Sequence, residues 1–146
     1  MDYRITTDKN EMSIDAIHDY LSQSYWAENV PKKVVAKAVE NSLCFAVLLC
    51  EQNGDEKQVG FARLITDTAT FAYLADVYIL EKHRGNGLSK QLMTAIIAHP
   101  QLQGLRRMML ATRDAHGLYE QFGFTKIIDQ KMFMHLWTPD VYSQTS

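Results

Sequence analysis

The chain has 146 residues, of which 47% are hydrophobic and 22% are charged, and its net charge is -2. This composition is typical of one soluble globular domain covering residues 1–146. The small negative charge offers no basic field for nucleic acid or an anionic membrane. No apolar run reaches the roughly 18–20 residues that span a bilayer. The first residues lack a signal-peptide pattern, so we expect a cytoplasmic protein.

Two helices are predicted near the N-terminus, after a short strand at residues 3–7. Ser13 is a suitable N-cap for the first helix, which would extend to about residue 22, because a serine hydroxyl can accept a bond from an unpaired backbone N–H. Pro31 fits the first turn of the second helix, where its missing N–H is not needed. Both helices have an apolar stripe at helical spacing, formed by Ile14, Ile17 and Leu21 and by Val34, Val35, Ala38 and Val39.

The middle of the chain predicts three consecutive strands, at residues 43–50, 58–65 and 71–80. Short connections with turn residues separate them, which favours an antiparallel meander. Cys44 and Cys50 both lie in the first of these strands, about 20 Å apart if it is extended. A disulfide requires Cα atoms within about 7 Å, so we expect both thiols to be free.

A loop with two glycines follows the meander, in the sequence HRGNGLSKQLM at residues 83–93. Asn-Gly is a hairpin signal, but the residues after Gly87 have helical periodicity. A strand, a glycine loop and a helix N-terminus together collect unpaired N–H groups that can bind phosphate. From spacing alone, a structural turn before a helix is an equally good interpretation. Three cationic side chains lie nearby in sequence: Lys82, Arg84 and Lys90.

The last third of the chain predicts a strand at residues 107–111, a short helix at residues 116–122 and two final strands at residues 124–128 and 132–137. The five histidines show no spacing typical of metal ligands. With the earlier elements, these predictions describe an α/β (α+β) domain. Its central sheet is mixed but mostly antiparallel, with six to seven strands, and about four helices flank it.

Two segments resemble motifs of a known family, the GNAT N-acetyltransferases. Residues 76–87, DVYILEKHRGNG, resemble the family's acetyl-CoA motif, [Q/R]-x-x-G-x-[G/A]. Residues 112–124, TRDAHGLYEQFGF, are similar to its N-x-x-A-x-x-L-Y-E-x-x-G-F segment. The motifs and the predicted elements come in the family's order, so the resemblance covers nearly the whole chain. The sequence departs from the pattern at Lys82, where Gln or Arg is usual, and at Thr112, where Asn is usual.

The resemblance implies an N-acetyltransferase that moves an acetyl group from acetyl-CoA to a primary amine, by direct attack through a tetrahedral intermediate. Acetyl-CoA would be the co-substrate, and the acceptor would be a small-molecule or peptide amine. No metal, nucleic acid or membrane is implied, and the protein would be a monomer or a homodimer. The alternative is a non-catalytic acyl-CoA-binding sensor or interaction module of the same fold.

The implied acetyl-CoA site combines strand backbone with the glycine loop. In the family, backbone groups of the fourth strand hold the pantetheine arm, and the loop and helix N–H groups bind the pyrophosphate. The asparagine at the position of Thr112 often reaches the pantetheine arm, and threonine is shorter. The implied binding residues are Val77, Tyr78, Ile79, Lys82, Arg84, Gly85, Asn86, Gly87, Leu88, Ser89, Lys90 and Thr112.

Five further residues are candidates for catalysis or acceptor binding. Tyr119 matches the family's general acid, which would protonate the CoA sulfur; otherwise it is a half-buried helix aromatic. Asp76 is a carboxylate in an apolar strand, so it is a candidate base or attractor of a cationic amine, and equally a structural aspartate. Tyr25 and Trp26 fall where the family's acceptor pocket is lined. His116 could titrate usefully there or be a surface residue.

Overall fold

A computed structural model of the chain describes residues 2–143, which form one five-stranded sheet flanked by four helices. The sheet has the order β1-β2-β3-β4-β5, in which β1 to β4 are antiparallel and β5 is parallel to β4. The strands are β1 Asp2–Thr6, β2 Leu43–Cys50, β3 Glu56–Thr66, β4 Phe71–Ile79 and β5 Arg107–Leu110. The helices are α1 Ile14–Leu21, α2 Lys32–Glu40, α3 Leu88–Ala98 and α4 His116–Glu120.

The predicted meander and the four predicted helices are confirmed. The hydroxyl of Ser13 accepts a hydrogen bond of 3.0 Å from the N–H of Ala16, so Ser13 is the N-cap of α1. Pro31 occupies the N-cap position of α2 without a side-chain cap, so that helix begins one residue later. In each case the signal lies within a few residues of the helix end, which is why local sequence indicates it.

Two core clusters lie on opposite faces of the sheet. Alternate residues of β2 belong to different clusters, as the period of a strand requires: Phe45 and Val47 to one, and Cys44 to the other. The first core cluster packs α3 and α4 against the sheet, with Val59, Leu64, Leu74, Ile79, Leu92, Ile96 and Tyr119 among its members. The second core cluster packs α1 and α2 against the other face, with Ile17, Leu21, Val35, Val39, Phe61 and Tyr78.

A β-bulge interrupts β4 at Asp76. Phe61 of β3 pairs with Tyr78, and Arg63 pairs with Ala75, so one residue of β3 faces two residues of β4. Asp76 has a φ of 57°, which is uncommon outside glycine and costs on the order of 1 kcal/mol. Bulges of this kind redirect side chains and often lie next to active sites.

The strands β4 and β5 part before β4 ends. Their parallel pairing runs from Phe71 with Arg107 to Leu74 with Leu110. The strand β4 then continues through the bulge to Ile79, beyond the last pair. The second half of β4 therefore has an unpaired edge on the side of β5, and this opening is a place where a ligand can lie.

The predicted strands at residues 124–128 and 132–137 are wrong. Neither segment forms a ladder in the described part of the chain, so the sheet has five strands rather than six to seven. A single 3-10 turn at Gln130–Met132 lies between them. The strand-like pattern is present, but a strand also needs a hydrogen-bonding partner, and this chain's own sheet supplies none there.

Both cysteines are free, as predicted. Cys44 is buried, and its Sγ atom lies 3.5 Å from the carbonyl oxygen of Val39. Burial raises the pKa of the Cys44 thiol to about 11, which disfavours a nucleophilic thiolate at neutral pH. Across residues 2–143, no helix combines the length and the hydropathy needed to cross a bilayer.

Candidate active site

The opening beside β4 exposes backbone groups of its last residues. The N–H of Leu80 donates to the carbonyl oxygen of Val59 in β3 at 2.8 Å. Because successive residues of a strand face alternate edges, the backbone groups of Tyr78 also face β3. Those of Val77 and Ile79 face the opening. Of the three residues predicted to hold pantetheine by their backbone, Val77 and Ile79 are therefore placed to do so.

The glycine loop follows directly and presents a run of unpaired N–H groups. Gly85 and Gly87 have φ angles of 84° and 74°, in the left-handed region that glycine adopts without strain. A Cβ atom on either glycine would meet nothing within 4 Å, so backbone conformation rather than packing explains these residues. Within residues 2–143, the N–H groups from Gly85 through Lys90 have no acceptor. They lie at the N-terminus of α3, where the helix dipole favours an anion.

Side-chain contacts with β1, with the loop itself and with the core hold this loop in place. His83 is buried, and its Nδ1 atom lies 3.0 Å from the hydroxyl of Tyr3 in β1. Asn86 donates from Nδ2 to the carbonyl oxygen of His83 at 3.0 Å, which closes the loop on itself. Leu88, the first residue of α3, is buried in the first core cluster. Lys82 and Lys90 are exposed and lie before and after the glycines in sequence, so this part of the chain has a local excess of positive charge.

Arg84 turns back along β4 instead of extending from the loop. Its Nε atom donates to the carbonyl oxygen of Ile79 at 3.0 Å, and its Nη2 atom lies 3.3 Å from the hydroxyl of Tyr20. The ring of Tyr20 stacks on that of Tyr78, with centroids 3.9 Å apart. The guanidinium thus ties the loop to α1 and leaves the N–H of Ile79 facing the opening.

Asp76 is held at the bulge by two donors. Its Oδ2 atom accepts from Nε of Arg63 at 2.8 Å, and its Oδ1 atom accepts from the indole N–H of Trp26 at 2.8 Å. The side chains of Arg63 and Asp76 are only 16% and 10% exposed, so the pair is largely removed from water. Arg63 also reaches the hydroxyl of Ser42 at 3.2 Å. Asp76 therefore joins β3, β4 and the segment after α1, and both of its oxygens already accept a bond.

Replacing Asp76 by asparagine should lower the free energy of unfolding by about 2–3 kcal/mol, the usual contribution of a hydrogen bond to a charged group when it is lost. Asparagine keeps the shape and tolerates a positive φ, but its amide group would face one of the two donors. Denaturant unfolding measures this difference. Asp19→Asn, on the exposed face of α1, is the matched control and should change stability by less than about 0.5 kcal/mol. Unchanged stability with turnover abolished would instead identify Asp76 as the base.

Two aromatic side chains form a wall beside this ion pair. Tyr25 and Trp26 lie edge to face, with centroids 5.1 Å apart, and the Arg113 guanidinium lies 3.8 Å from the ring centroid of Tyr25. Trp26 also lies 6.3 Å from Tyr20. Tyr25 and Trp26 are 54% and 42% exposed, so their rings border solvent rather than the core. This arrangement leaves them available to contact an acceptor molecule.

Tyr119 lies on α4 and is close to Tyr25. It is buried in the first core cluster, which also contains Ile79 and Leu88 and packs against Val77. Its ring meets Phe124 edge to face at 5.9 Å. Burial, with a smaller contribution from the nearby Tyr25 phenol, raises the pKa of Tyr119 above its usual value. The phenol is therefore protonated throughout the neutral range.

Thr112 and His116 flank α4 with different roles. The hydroxyl of Thr112 accepts a bond of 3.0 Å from the N–H of Ala115, so it shapes the turn that leads into the helix. That bond occupies the oxygen that was expected to reach pantetheine. His116 is exposed on the first turn of α4. No group of three metal-ligating side chains occurs in the described residues 2–143.

The structure adds four residues that sequence reasoning did not assign to the site: Tyr20, Arg63, His83 and Arg113. Arg63 was detectable in principle, because it is the one cation in the strongly apolar centre of β3. Arg113 lies inside the motif at residues 112–124. Nothing in the local pattern distinguishes Tyr20 or His83, whose partners are 64 and 80 residues away in sequence.

Comparison with known proteins gives one consistent result. Residues 10–124 match the model of the acetyltransferase (GNAT) family. The chain is 37% identical to a proposed acetyltransferase of Gibberella zeae, with 81% of this chain and 76% of that protein covered. It is 47% identical to a proposed GNAT-family acetyltransferase from Xanthomonas campestris pv. campestris, whose crystal structure matches with a TM-score of 0.91 over 98% of both chains. At 15% identity and a TM-score of 0.62, it shares the fold of a proposed acetyltransferase from Clostridium acetobutylicum whose structure was determined with acetyl-CoA, over 92% of this chain and 94% of that one.

Proposed function

The chain belongs to the GNAT family of acetyltransferases, and from this premise we propose that it transfers the acetyl group of acetyl-CoA to a primary amine. The observation that carries the proposal is the run of N–H groups from Gly85 through Lys90 without an acceptor in the described chain. Six adjacent donors at a helix N-terminus fit the oxygens of a pyrophosphate. Exposed Lys82 and Lys90 beside them add charge complementarity.

The unpaired edge of β4 fits the next part of the same molecule. A pantetheine arm carries amide groups, and an unpaired strand edge binds amides as a neighbouring strand would. The backbone groups of Val77 and the N–H of Ile79 face this edge. An N–H of this edge can also donate to the thioester carbonyl, whose oxygen becomes negative as an amine attacks it.

The transfer then needs two proton movements. The amine nitrogen must be neutral before it bonds to the acetyl carbon, and the sulfur must receive a proton as the C–S bond breaks. Tyr119 is the group that we assign to the second step, because its hydroxyl is protonated at neutral pH and its side chain belongs to the cluster that also contains Ile79. The phenolic proton goes to the sulfur and is restored from solvent. We assign the removal of the proton from the amine to solvent water, because the Asp76 carboxylate is held in place by Arg63 and Trp26.

The acceptor would enter on the side of Tyr25 and Trp26. The aromatic faces there suit an amine that carries an apolar or planar group, because such groups pack well on exposed rings. The Arg63–Asp76 pair lies behind them, and its charges compensate each other. A strongly polycationic acceptor is therefore not favoured by this wall, in keeping with the net charge of -2.

Calorimetric titration tests the proposal at its first step. We expect the purified protein to bind acetyl-CoA. It should bind acetyl-pantetheine, which lacks the 3′,5′-ADP portion and both phosphates of the pyrophosphate, with much lower affinity. The reason is that the phosphates provide the partners for the loop N–H groups. Equal affinity for both compounds would contradict the assignment of the loop, and no binding of acetyl-CoA would overturn the proposed function.

A screen of amines for thiol release then separates an enzyme from a sensor. An acetyltransferase releases CoA thiol only when a suitable amine is present. A sensor of the same fold would bind acetyl-CoA and release no thiol with any amine. Because binding is measured independently, absence of turnover across acceptor classes would favour the sensor without questioning the acetyl-CoA site.

A further inference from the structure

One segment of the chain exposes apolar side chains to an unusual degree. We call residues 125–141 the arm. Ile128, Met134 and Leu136 are 96%, 96% and 99% exposed. Four further large apolar side chains of the arm are exposed: Met132, Phe133, Trp137 and Val141. Seven exposed large apolar side chains in one segment of 17 residues are unusual on a soluble monomer and mark a surface that another molecule covers.

The arm also has the sequence of a strand. In residues 132–137, MFMHLW, Met132, Met134 and Leu136 would face one side and Phe133, His135 and Trp137 the other. Aromatic residues are enriched in strands, and the run contains no glycine or proline. The arm nevertheless forms no ladder within residues 2–143. The segment therefore has a strand-like sequence but no strand partner in the described part of the single chain.

The strand β5 lies at the edge of the sheet, and its outer backbone groups have no neighbouring strand in the described residues. The N–H of Arg106 donates to the carbonyl oxygen of Thr70 beside β4 at 3.0 Å. By alternation, the backbone groups of Arg107 and Met109 face away from β4, toward the open edge. No strand of the described chain pairs with that edge. An open, apolar edge strand is a template for another strand.

The chain's own arm passes this edge without joining it. Before the arm, Phe124 packs against Tyr119, and after it Tyr142 packs against the second core cluster. Between these two points, the Arg107 guanidinium of β5 lies 5.0 Å from the ring centroid of Phe133. The arm thus packs at both ends, while most of its large apolar side chains in between are exposed.

We propose that the arm pairs with the β5 edge of a second copy of this chain, so that two chains exchange arms reciprocally. Each copy provides one strand and one open edge, which is the self-complementary arrangement that a two-fold dimer requires. The exchange covers the apolar arm and pairs the outward N–H groups of both β5 strands. It also extends each sheet beyond its five strands.

The area available is sufficient for a stable dimer. A fully exposed aromatic side chain loses roughly 150–250 Å² of surface when it is buried, and Phe133 and Trp137, at 42% and 69% exposed, can lose the corresponding fractions of that area. Five aliphatic side chains of the arm add to this, and the total approaches the ~800 Å² per partner of a standard interface. The exchange occurs twice in a two-fold dimer, since each chain is both donor and acceptor.

The mass of the full chain in solution tests the proposal. We expect light scattering during gel filtration at micromolar concentration to give twice the chain mass of 16.7 kDa. The double variant Met134→Asp/Leu136→Asp should be monomeric, because two carboxylates cannot be buried in the apolar contact. Met109→Pro should also be monomeric, because it removes an outward N–H of β5 without removing a bond to β4.

A matched control and a second measurement complete the test. Ile97→Asp changes an exposed apolar side chain on α3, outside the arm, and should remain dimeric. Hydrogen exchange of residues 132–137 in the wild type should slow as protein concentration rises. A monomeric wild type would overturn the proposal, and slow exchange of residues 132–137 in that monomer would show that the arm pairs within its own chain. Dimers that persist in the folded variants would place the interface elsewhere, with the same consequence.

Discussion

Replacing Gly87 by aspartate should lower the affinity for acetyl-CoA by at least about 100-fold. Gly87 precedes α3 with a φ of 74°, and its own N–H is one of the six without an acceptor. An aspartate here would place a carboxylate where the pyrophosphate is expected, and its oxygens would accept from the helix N–H groups. Two lost charge-assisted hydrogen bonds at about 1.5 kcal/mol each amount to roughly 3 kcal/mol, which is more than a factor of 100.

The control for this variant is the same substitution at another glycine. Gly54 has a φ of 90° and, like Gly87, open space where a Cβ would be. Gly54→Asp therefore introduces similar backbone strain and the same charge, in the turn between β2 and β3. Calorimetry should show unchanged acetyl-CoA affinity for Gly54→Asp. Full affinity in a folded Gly87→Asp protein would show that the loop does not hold the phosphates.

Replacing Tyr119 by phenylalanine should reduce kcat by about 100-fold or more, the usual contribution of a general acid. The ring would keep its contacts in the first core cluster, so acetyl-CoA affinity and stability should change little. Tyr73→Phe is the matched control, because Tyr73 lies on β4 before the bulge, on the half paired with β5. Steady-state rates with a reactive amine measure the difference. An unchanged kcat in Tyr119→Phe would exclude the phenol as proton donor.

The pH dependence of the wild type has a defined sign. The acid must be protonated to act, and the pKa of Tyr119 is raised by burial. Deprotonation of Tyr119 should therefore reduce kcat only above the usual tyrosine pKa of about 10. Below that pH, kcat should rise or stay level as the amine loses its proton. A decline of kcat between pH 7 and 9 that is absent in Tyr119→Phe would contradict this assignment.

Most of the fold follows from short-range signals. The cap at Ser13, the apolar stripes of α1 and α2 and the turn residues between strands each act within a few positions, and the corresponding elements are where they were predicted. The glycine loop belongs to the same class, because a helical period after Gly87 excludes a hairpin. Such features are encoded by backbone preference and by burial of one face.

The arm shows where short-range sequence signals fail to predict the structure. Residues 132–137 have strand character, but whether they form a strand depends on an edge that accepts them. The prediction identified the strand character of the segment and named no partner strand. In the described part of the chain the arm forms no ladder with the β5 edge, and local sequence contains no information about which copy supplies the partner.

The ion pair of the site was missed for a different reason. Arg63 and Asp76 were visible as charges in apolar strands, but their contact depends on the register between β3 and β4, including the bulge. The bond from Trp26 to Asp76 joins residues 50 positions apart. Contacts between residues so far apart in sequence depend on the completed fold. The local pattern therefore does not distinguish a catalytic base from a structural residue at Asp76.

The bulge at Asp76 also changes which residues of β4 face α3, from the even-numbered to the odd-numbered ones. Before it, Ala72 and Leu74 point toward α3; after it, the odd-numbered Val77 and Ile79 do so, while Tyr78 points toward α1. A single extra residue, Asp76, shifts the numbering by one while each face of the strand stays on its own side of the sheet. Without Asp76, Ala75 and Val77 would lie opposite Arg63 and Ala62 in regular alternation, and Tyr78 would still face Phe61. The extra residue therefore costs the sheet no core contact, and what it adds is a carboxylate placed between Arg63 and Trp26.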